Sequence, residues 1–224
     1  MSVNLQWLTV EADKSIAFMA RVSNPNAIPD DPSDKLIAYL IKHKHWSPFE
    51  MANACLEIST TRDIARQILR HRSFHFQEFS QRYSEAPEDR VESEARLQDK
   101  KNRQNSLPLN TLSLDDEDSV RFMWAWIQKE AWDRTYHGYK EALKLGIAKE
   151  VARKLLPEGL TRTRMYMNGT LRDWIHYLSV RLGPETQLEH RQIAEEIRDV
   201  LTYHCPVVMA AAGQAGLIAP ANTG

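Results

Sequence analysis

Arg70-His71-Arg72-Ser73-Phe74-His75-Phe76-Gln77-Glu78-Phe79-Ser80-Gln81-Arg82-Tyr83 crowds arginine, histidine, a carboxylate, hydroxyls and aromatic rings into fourteen residues. A guanidinium fork matches the oxygens of a phosphate or a carbonyl edge. An aromatic face stacks on a flat ring. The stretch therefore points to a site for a phosphate and a planar heterocycle. The same residues also fit an ordinary solvated basic surface, so the neighbouring sequence has to decide.

Upstream, the spacing predicts a helix over 63–72 with Ile64, Ile68 and Leu69 turned inward. Gln67, Arg70 and His71 stand at i, i+3 and i+4 and so share one face of that helix. Downstream, Glu78, Ser80 and Arg82 alternate in a stretch expected to be extended, where residues two apart lie on one side. Hydroxyl and guanidinium donors then line up beside a carboxylate.

Further outward, strands are expected at 3–10, 54–60 and 161–167. Helices are expected at 13–22, 36–41, 118–145, 149–156, 171–182, 185–203 and 206–216. Residues 23–34 form a turn-rich loop with three prolines. Residues 88–103 carry ten charges of mixed sign in sixteen positions, and 84–113 is expected to be a charged surface excursion. In the longest helix, Val120, Met123, Trp124, Ile127, Ala131 and Trp132 form an apolar stripe suited to a central or subunit-interface helix. No repeat or linker interrupts the 224 residues. The expected fold is α+β: a single domain, 1–224, with long central helices and a small, mainly antiparallel sheet.

A hydrophobic content of 42% permits a sizeable core, and a net charge of −1 gives no global attraction to nucleic acid or membrane. Cys55 and Cys205 form no CxxC pair, so a cysteine zinc site is not expected. The sequence does not open on a basic segment followed by an apolar core, and no apolar run reaches 18 residues. A cytoplasmic protein with no membrane partner is expected.

The spacing Arg70-His71-Arg72, seven residues, Ser80 resembles the RHR-x7-S signature of the flavin-dependent thymidylate synthases. Other segments resemble that family in the same order: ARVSN at 20–24, HKHWSPFE at 43–50, KEVARKLLP at 149–157 and MNGTLRDWIHYLSVR at 167–181. The resemblance spans roughly residues 20–200. It implies an enzyme that reductively methylates dUMP to dTMP, with methylenetetrahydrofolate as one-carbon donor and NADPH-reduced FAD as hydride source. It also implies a homotetramer whose sites are shared between chains.

Carried over residue by residue, the resemblance gives dUMP to Gln67, Arg70, Glu78, Phe79, Ser80, Gln81, Arg82, Arg153 and Arg181. Arg153 reaches it from a neighbouring subunit. Arg181, beside the uracil N3–C4 edge, is the expected catalytic residue: a fixed cation there stabilises negative charge on the ring and makes C5 nucleophilic. FAD falls to Ser47, Arg70, His71, Arg72, Glu78, Thr170, Arg172 and His176, with Asn168 competing with Thr170. His45 lies toward the flavin and folate side. Met51 stands where the family has a histidine. Taken by spacing alone, Arg153 is the polar side of a short helix, Arg172 and His176 a surface pair at i and i+4, and His45 a loop residue.

The cysteine-dependent thymidylate synthases, an unrelated group, need a thiolate. Here neither cysteine lies near the basic cluster in sequence, and Ser80 has no paired histidine base. The alternative function is a nucleic-acid-binding module in which segment 70–83 stacks and neutralises. Glu78, Glu85, Glu88 and Asp89 argue against it. A histidine metal site from His43, His45, His71 and His75 lacks suitable ligand spacing.

Overall fold

A computed structural model describes residues 1–24 and 32–219, so most of the proline-rich loop expected at 23–34 lies outside the described residues. The fold is α+β, as expected, with helices dominating a small antiparallel sheet. In chain order the elements are β1 (Ser2–Leu8), α1 (Ala12–Ala20), α2 (Ser33–Lys42), β2 (Asn53–Thr61), α3 (Arg62–Ile68) and β3 (His75–Glu78). They continue with β4 (Leu97–Gln98), β5 (Ser106–Leu107), α4 (Leu114–Lys144), α5 (Lys149–Ala152), β6 (Arg162–Thr170), α6 (Leu171–Arg181), α7 (Leu188–His204) and α8 (Pro206–Gln214). The main sheet has the order β1-β2-β6-β3.

The chain divides into two compact units. One comprises 1–59, 67–77 and 165–224, and the other 60–66 and 78–164. In the first, β1 and β2 pair antiparallel with Val3 opposite Ile58 and Leu5 opposite Leu56, and a bulge falls between Leu5 and Trp7. β2 is buried at Ala54, Cys55, Leu56 and Ile58, the near-continuous apolar run of an interior strand. α7 packs on β1, α6 and α8, and α2 packs on α8. α7 turns Ile193, Ala194, Ile197 and Leu201 inward at helical spacing. α6 starts at a capping box in which Thr170 and Asp173 satisfy each other's backbone N–H groups.

The start of α8 is capped from a distance. Asp13 accepts from the Val207 and Val208 N–H groups at 3.1 and 3.0 Å, because Cys205 and Pro206 offer no local acceptor.

In the second unit, α4 runs for 31 residues. Ser113 caps it, Asp115, Asp116 and Glu117 sit at the positive end of its dipole, and Lys144 sits at the negative end. Gly146, at φ +81°, supplies the left-handed turn that ends it. Tyr139 is fully buried with Ala86, Ala152 and Leu156, and its hydroxyl accepts from the Ala86 N–H at 3.0 Å. The charged segment is pinned to α4. Ser93 donates its N–H to Gln128 Oε1 at 2.8 Å, and its carbonyl accepts from Gln128 Nε2 and Trp124 Nε1. β4 and β5 then make a two-residue antiparallel hairpin.

Helix α3 ends at Ile68, four residues short of the expected end. Arg70 and His71 follow in tight turns, their N–H groups donating to the Gln67 and Ile68 carbonyls. The aromatic run Phe74–Phe76, whose branched and planar side chains favour extended backbone, ends helical winding there. The expected extended run through Arg82 is likewise corrected. β3 stops at Glu78, and the Ser80 carbonyl accepts from the Tyr83 and Ser84 N–H groups in a turn.

Candidate active site

In the first unit the central pair is Arg181 and His71. Arg181, on the last turn of α6, donates its Nε–H to His71 Nε2 at 2.9 Å. An imidazole nitrogen that accepts carries no proton, so His71 is neutral with its proton on Nδ1. Burial, then the charges of Arg181 and His176, hold its pKa down to about 4. The His71 ring also meets the Tyr177 ring edge-on at 4.8 Å. The guanidinium of Arg181 is thereby anchored through one nitrogen by an uncharged partner, and its charge stays undiminished.

Next to this pair runs a polar chain. Tyr177 Oη lies 3.0 Å from His190 Nε2, and His190 Nδ1 lies 3.3 Å from Gln67 Oε1. Gln67 Nε2 donates to Gln187 Oε1 at 2.7 Å, and Gln187 Nε2 donates to Glu189 at 3.0 Å. Tyr177 and His190 are fully buried. Burial raises the Tyr177 pKa and, with Arg181 and His71 adding, lowers that of His190 to about 3. His190 was legible as a core-facing position, since it precedes Ile193, Ala194 and Ile197 on one helical stripe.

The flavin candidates of this unit lie in several places. Arg172 and His176 are exposed on one side of α6, and Arg172 pairs with Glu50. Ser47 opens a short 3-10 turn, Ser47–Met51, and is exposed, as are Arg70 and Arg72. His45 is exposed with its ring 5.9 Å from that of Tyr39. Thr170 spends its hydroxyl on the capping box with Asp173. Asn168 Oδ1 is buried and has no hydrogen-bond partner among the described residues. Of the two competitors, Asn168 is the one with an acceptor to spare.

The second unit gathers a different set. Glu78, 16% exposed, faces Arg62 at 3.5 Å and Arg66 at 3.4 Å, and accepts from Thr163 Oγ1 at 3.0 Å. Burial pushes the Arg62 pKa down, the charge of Glu78 raises it, and Arg66 and Arg153 lower it further. The Phe79 N–H is taken by the Arg164 carbonyl at 2.8 Å. Ser80 Oγ accepts from the Arg82 N–H at 3.3 Å, and Arg82 pairs with Glu150 at 3.2 Å. Gln81 is buried, with Nε2 lacking a partner among the described residues. Arg153 ends α5. Arg62 and Arg66 escaped the sequence reading, although their four-residue spacing continues to Arg70 and marks a basic helix stripe.

Neither thiol is a nucleophile in waiting. Burial and the charge of Asp13 push the Cys205 pKa up to about 12, and burial raises that of Cys55. Both stay protonated at neutral pH. Among the described residues no group of three or more His, Cys, Asp or Glu side chains is placed to hold a metal ion, and no helix is long and apolar enough to cross a membrane.

Fold and clusters define a class: an α+β protein whose guanidinium groups are held by an imidazole in one unit and by carboxylates in both. Residues 5–207 match the pattern of the thymidylate synthase complementing protein family. The chain belongs to that family, the flavin-dependent thymidylate synthases. A flavin-dependent thymidylate synthase of Synechocystis sp. is 51% identical over 197 residues, covering 88% of this chain and 87% of that protein. A probable one of Paramecium bursaria Chlorella virus 1 is 47% identical over 198 residues, covering 88% of each. Among solved structures, the UMP/dUMP methylase PolB from Streptomyces cacaoi, bound with 5-Br dUMP, superposes with a TM-score of 0.83 at 26% identity. That match covers 98% of this chain and 97% of the other.

Proposed function

We propose that the chain methylates dUMP to dTMP, taking the one-carbon unit from methylenetetrahydrofolate and reducing equivalents from NADPH through FAD. The observation that carries this reading is the Arg181–His71 pair in a chain whose relatives are flavin-dependent thymidylate synthases over nearly their whole length. With Nε held by a neutral imidazole, Arg181 keeps its terminal N–H groups for a ring oxygen. Placed at the uracil N3–C4 edge, it stabilises the negative charge that develops as C5 becomes nucleophilic. No thiolate is needed, in keeping with two buried, protonated cysteines.

Gln67 and Arg70 hold the same nucleotide in the first unit. In the second unit, Ser80, Gln81 and Arg82, with Glu78 and Phe79, suit the phosphate and sugar of a nucleotide, and Arg153 reaches the nucleotide of a neighbouring subunit. Ser80 and Arg82 suit a phosphate because a neutral and a charged donor stand together. Glu78 fixes Arg62 and Arg66, so its part is to organise cations as well as to meet ligand.

The first unit's residues fit FAD. Arg172, His176, Arg70, Arg72 and Ser47 are exposed donors suited to a pyrophosphate and its sugars, and His71 lies with them in this unit. The partnerless Asn168 Oδ1 is an acceptor for a flavin or adenine N–H. Bound FAD supplies the hydride that completes the methyl group. His45 belongs to the folate side.

The chain works as one synthase domain within a cytoplasmic homotetramer. Supporting the oligomer, α4 leaves Phe122, Met123, Trp126 and Ile127 between 46% and 71% exposed, a contiguous apolar face of the kind that subunit contacts cover. Sedimentation of a Trp126→Glu variant as smaller species supports that contact, and an unchanged tetramer refutes it.

Release of tritium from 5-tritiated dUMP, with FAD, NADPH and methylenetetrahydrofolate, tests the function. Wild type releases label and Arg181→Ala falls at least a hundredfold. No release by flavin-loaded wild type refutes the synthase reading. Full activity in the alanine variant refutes the role of Arg181.

A further inference from the structure

The polar chain around Gln67 has a direction. Glu189 carries a carboxylate, which accepts and does not donate, so Gln187 must turn its Nε2 toward it. The Oε1 of Gln187 then faces Gln67 and accepts from Gln67 Nε2. The Oε1 of Gln67 is left facing His190, whose Nδ1 must carry the proton. His190 Nε2 in turn accepts from the Tyr177 hydroxyl. Reversing any link sets two acceptors or two donors against each other, and the reversed arrangement at Glu189 puts an amide oxygen against a carboxylate. One charge at the surface end thus fixes the tautomer of a fully buried imidazole three links away.

The consequence falls on Gln67. An amide that rotates by half a turn offers either donor–acceptor order to a ligand. Locked between His190 and Gln187, Gln67 offers one order only, with one N–H and one oxygen lone pair remaining. Uracil shows a ring N–H donor beside carbonyl acceptors. Cytosine shows the reverse, an unprotonated ring nitrogen beside an amino group. A rotating amide accepts both edges, whereas a locked amide rejects one and leaves a buried polar group unpaired, which is the strong form of discrimination.

We propose that Glu189, Gln187, His190 and Tyr177 are positioning residues that lock the Gln67 amide in a single orientation, and that this lock makes the site select a uracil over a cytosine nucleotide. The proposal rests on the assignment of Gln67 to dUMP. The low pKa of His190 agrees with it, since a protonated imidazole has no acceptor for Tyr177.

Calorimetric titration of the FAD-loaded enzyme with dUMP and with dCMP tests it, in wild type, Gln67→Ala, Glu189→Gln and His190→Leu. Wild type favours dUMP by at least tenfold. Glu189→Gln removes the end charge while leaving the core untouched, and shrinks that preference by fivefold or more, chiefly through tighter dCMP binding. His190→Leu does the same where it folds, and Glu189→Gln decides the matter where it does not. Imidazole nitrogen NMR on wild type shows His190 as the Nδ1–H tautomer, and Glu189→Gln shifts it toward a mixture. An unchanged dUMP-to-dCMP ratio in Glu189→Gln, with dUMP binding weakened in Gln67→Ala, overturns the lock alone. Undiminished dUMP binding in Gln67→Ala overturns the assignment beneath it.

Discussion

Gly169→Ala tests the packing that holds the Arg181–His71 pair. A Cβ at Gly169 would sit 2.5 and 2.6 Å from Cδ1 and Cε1 of Phe74. Carbon atoms in contact prefer roughly 3.5–4.0 Å, so the ring must retreat by about 1 Å. It has little room. Phe74 is 5% exposed, with Trp174 edge-on at 4.6 Å and Tyr177 at 6.0 Å. Neither neighbour gives easily. Trp174 is fully buried and donates Nε1–H to the Ala54 carbonyl at 3.2 Å, while Tyr177 is tied to His190. Overpacking of this kind costs about 1–3 kcal/mol. Reduced unfolded-chain entropy returns about 0.4–1 kcal/mol, since the backbone at 169 is not left-handed. The net expectation is a loss of about 1–2 kcal/mol, or roughly 2–8 °C in Tm for a chain of this size. Urea unfolding at unchanged m measures it. Phe74→Leu in the same chain relieves the clash, so the double variant is more stable than the sum of the singles by about 1 kcal/mol. A Gly169→Ala chain as stable as wild type, or strict additivity with Phe74→Leu, refutes the reasoning.

Acid weakens the fold through its buried histidines. His190 is held at about 3 against 6.5 unfolded, so the unfolded chain binds the proton first. Stability is therefore complete above pH 6.5 and lost as pH falls below it. By about pH 5 this one group has cost about 2 kcal/mol, and His190→Leu flattens that part of a thermal-unfolding pH series. Removing the remote cap by Asp13→Ala lowers stability by about 1 kcal/mol, read as a shift in urea midpoint, and no shift means that α8 does not depend on it. Glu150→Gln releases Arg82 from a pair in which both partners are over half exposed. Stability changes by less than about 0.5 kcal/mol, whereas affinity for inorganic phosphate rises two- to fivefold by calorimetry; weaker binding contradicts Arg82 as a phosphate ligand.

Periodicity exposed what a single element decides for itself. The spans of α4, α6 and α7 and the strand β1 follow from spacing within each segment. It failed where a distant residue decides. Spacing alone does not show that Phe74 must nest on Gly169, which favours a turn over another helical turn at Arg70–His71. Nor does it show that Ser93 finds Gln128, which fastens a charge-rich segment to α4 although its composition reads as a loose excursion. The site behaves in the same way. Arg82, Arg172 and Gln67 were legible, but their partners Glu150, Glu50 and His190 lie 68, 122 and 123 residues away in sequence.

Those partners separate the cations into two kinds. Arg62, Arg66, Arg82 and Arg172 each face a carboxylate: Glu78 for the first two, Glu150 and Glu50 for the others. An arriving phosphate must compete with that carboxylate, so these arginines exchange partners, and their gain on binding is the difference between two similar anions. Arg181 faces a neutral imidazole. The imidazole that holds it carries no charge to cancel its own, its orientation is set before any ligand arrives, and that partner is not an anion that must be displaced when charge grows on a ring beside it. Preorganised charge of this sort stabilises a transition state more than a ground state. The exchangeable pairs are therefore suited to holding phosphates, and the imidazole-held arginine to chemistry. Protonating His71 would abolish the distinction, because a cationic imidazole repels the guanidinium it now anchors.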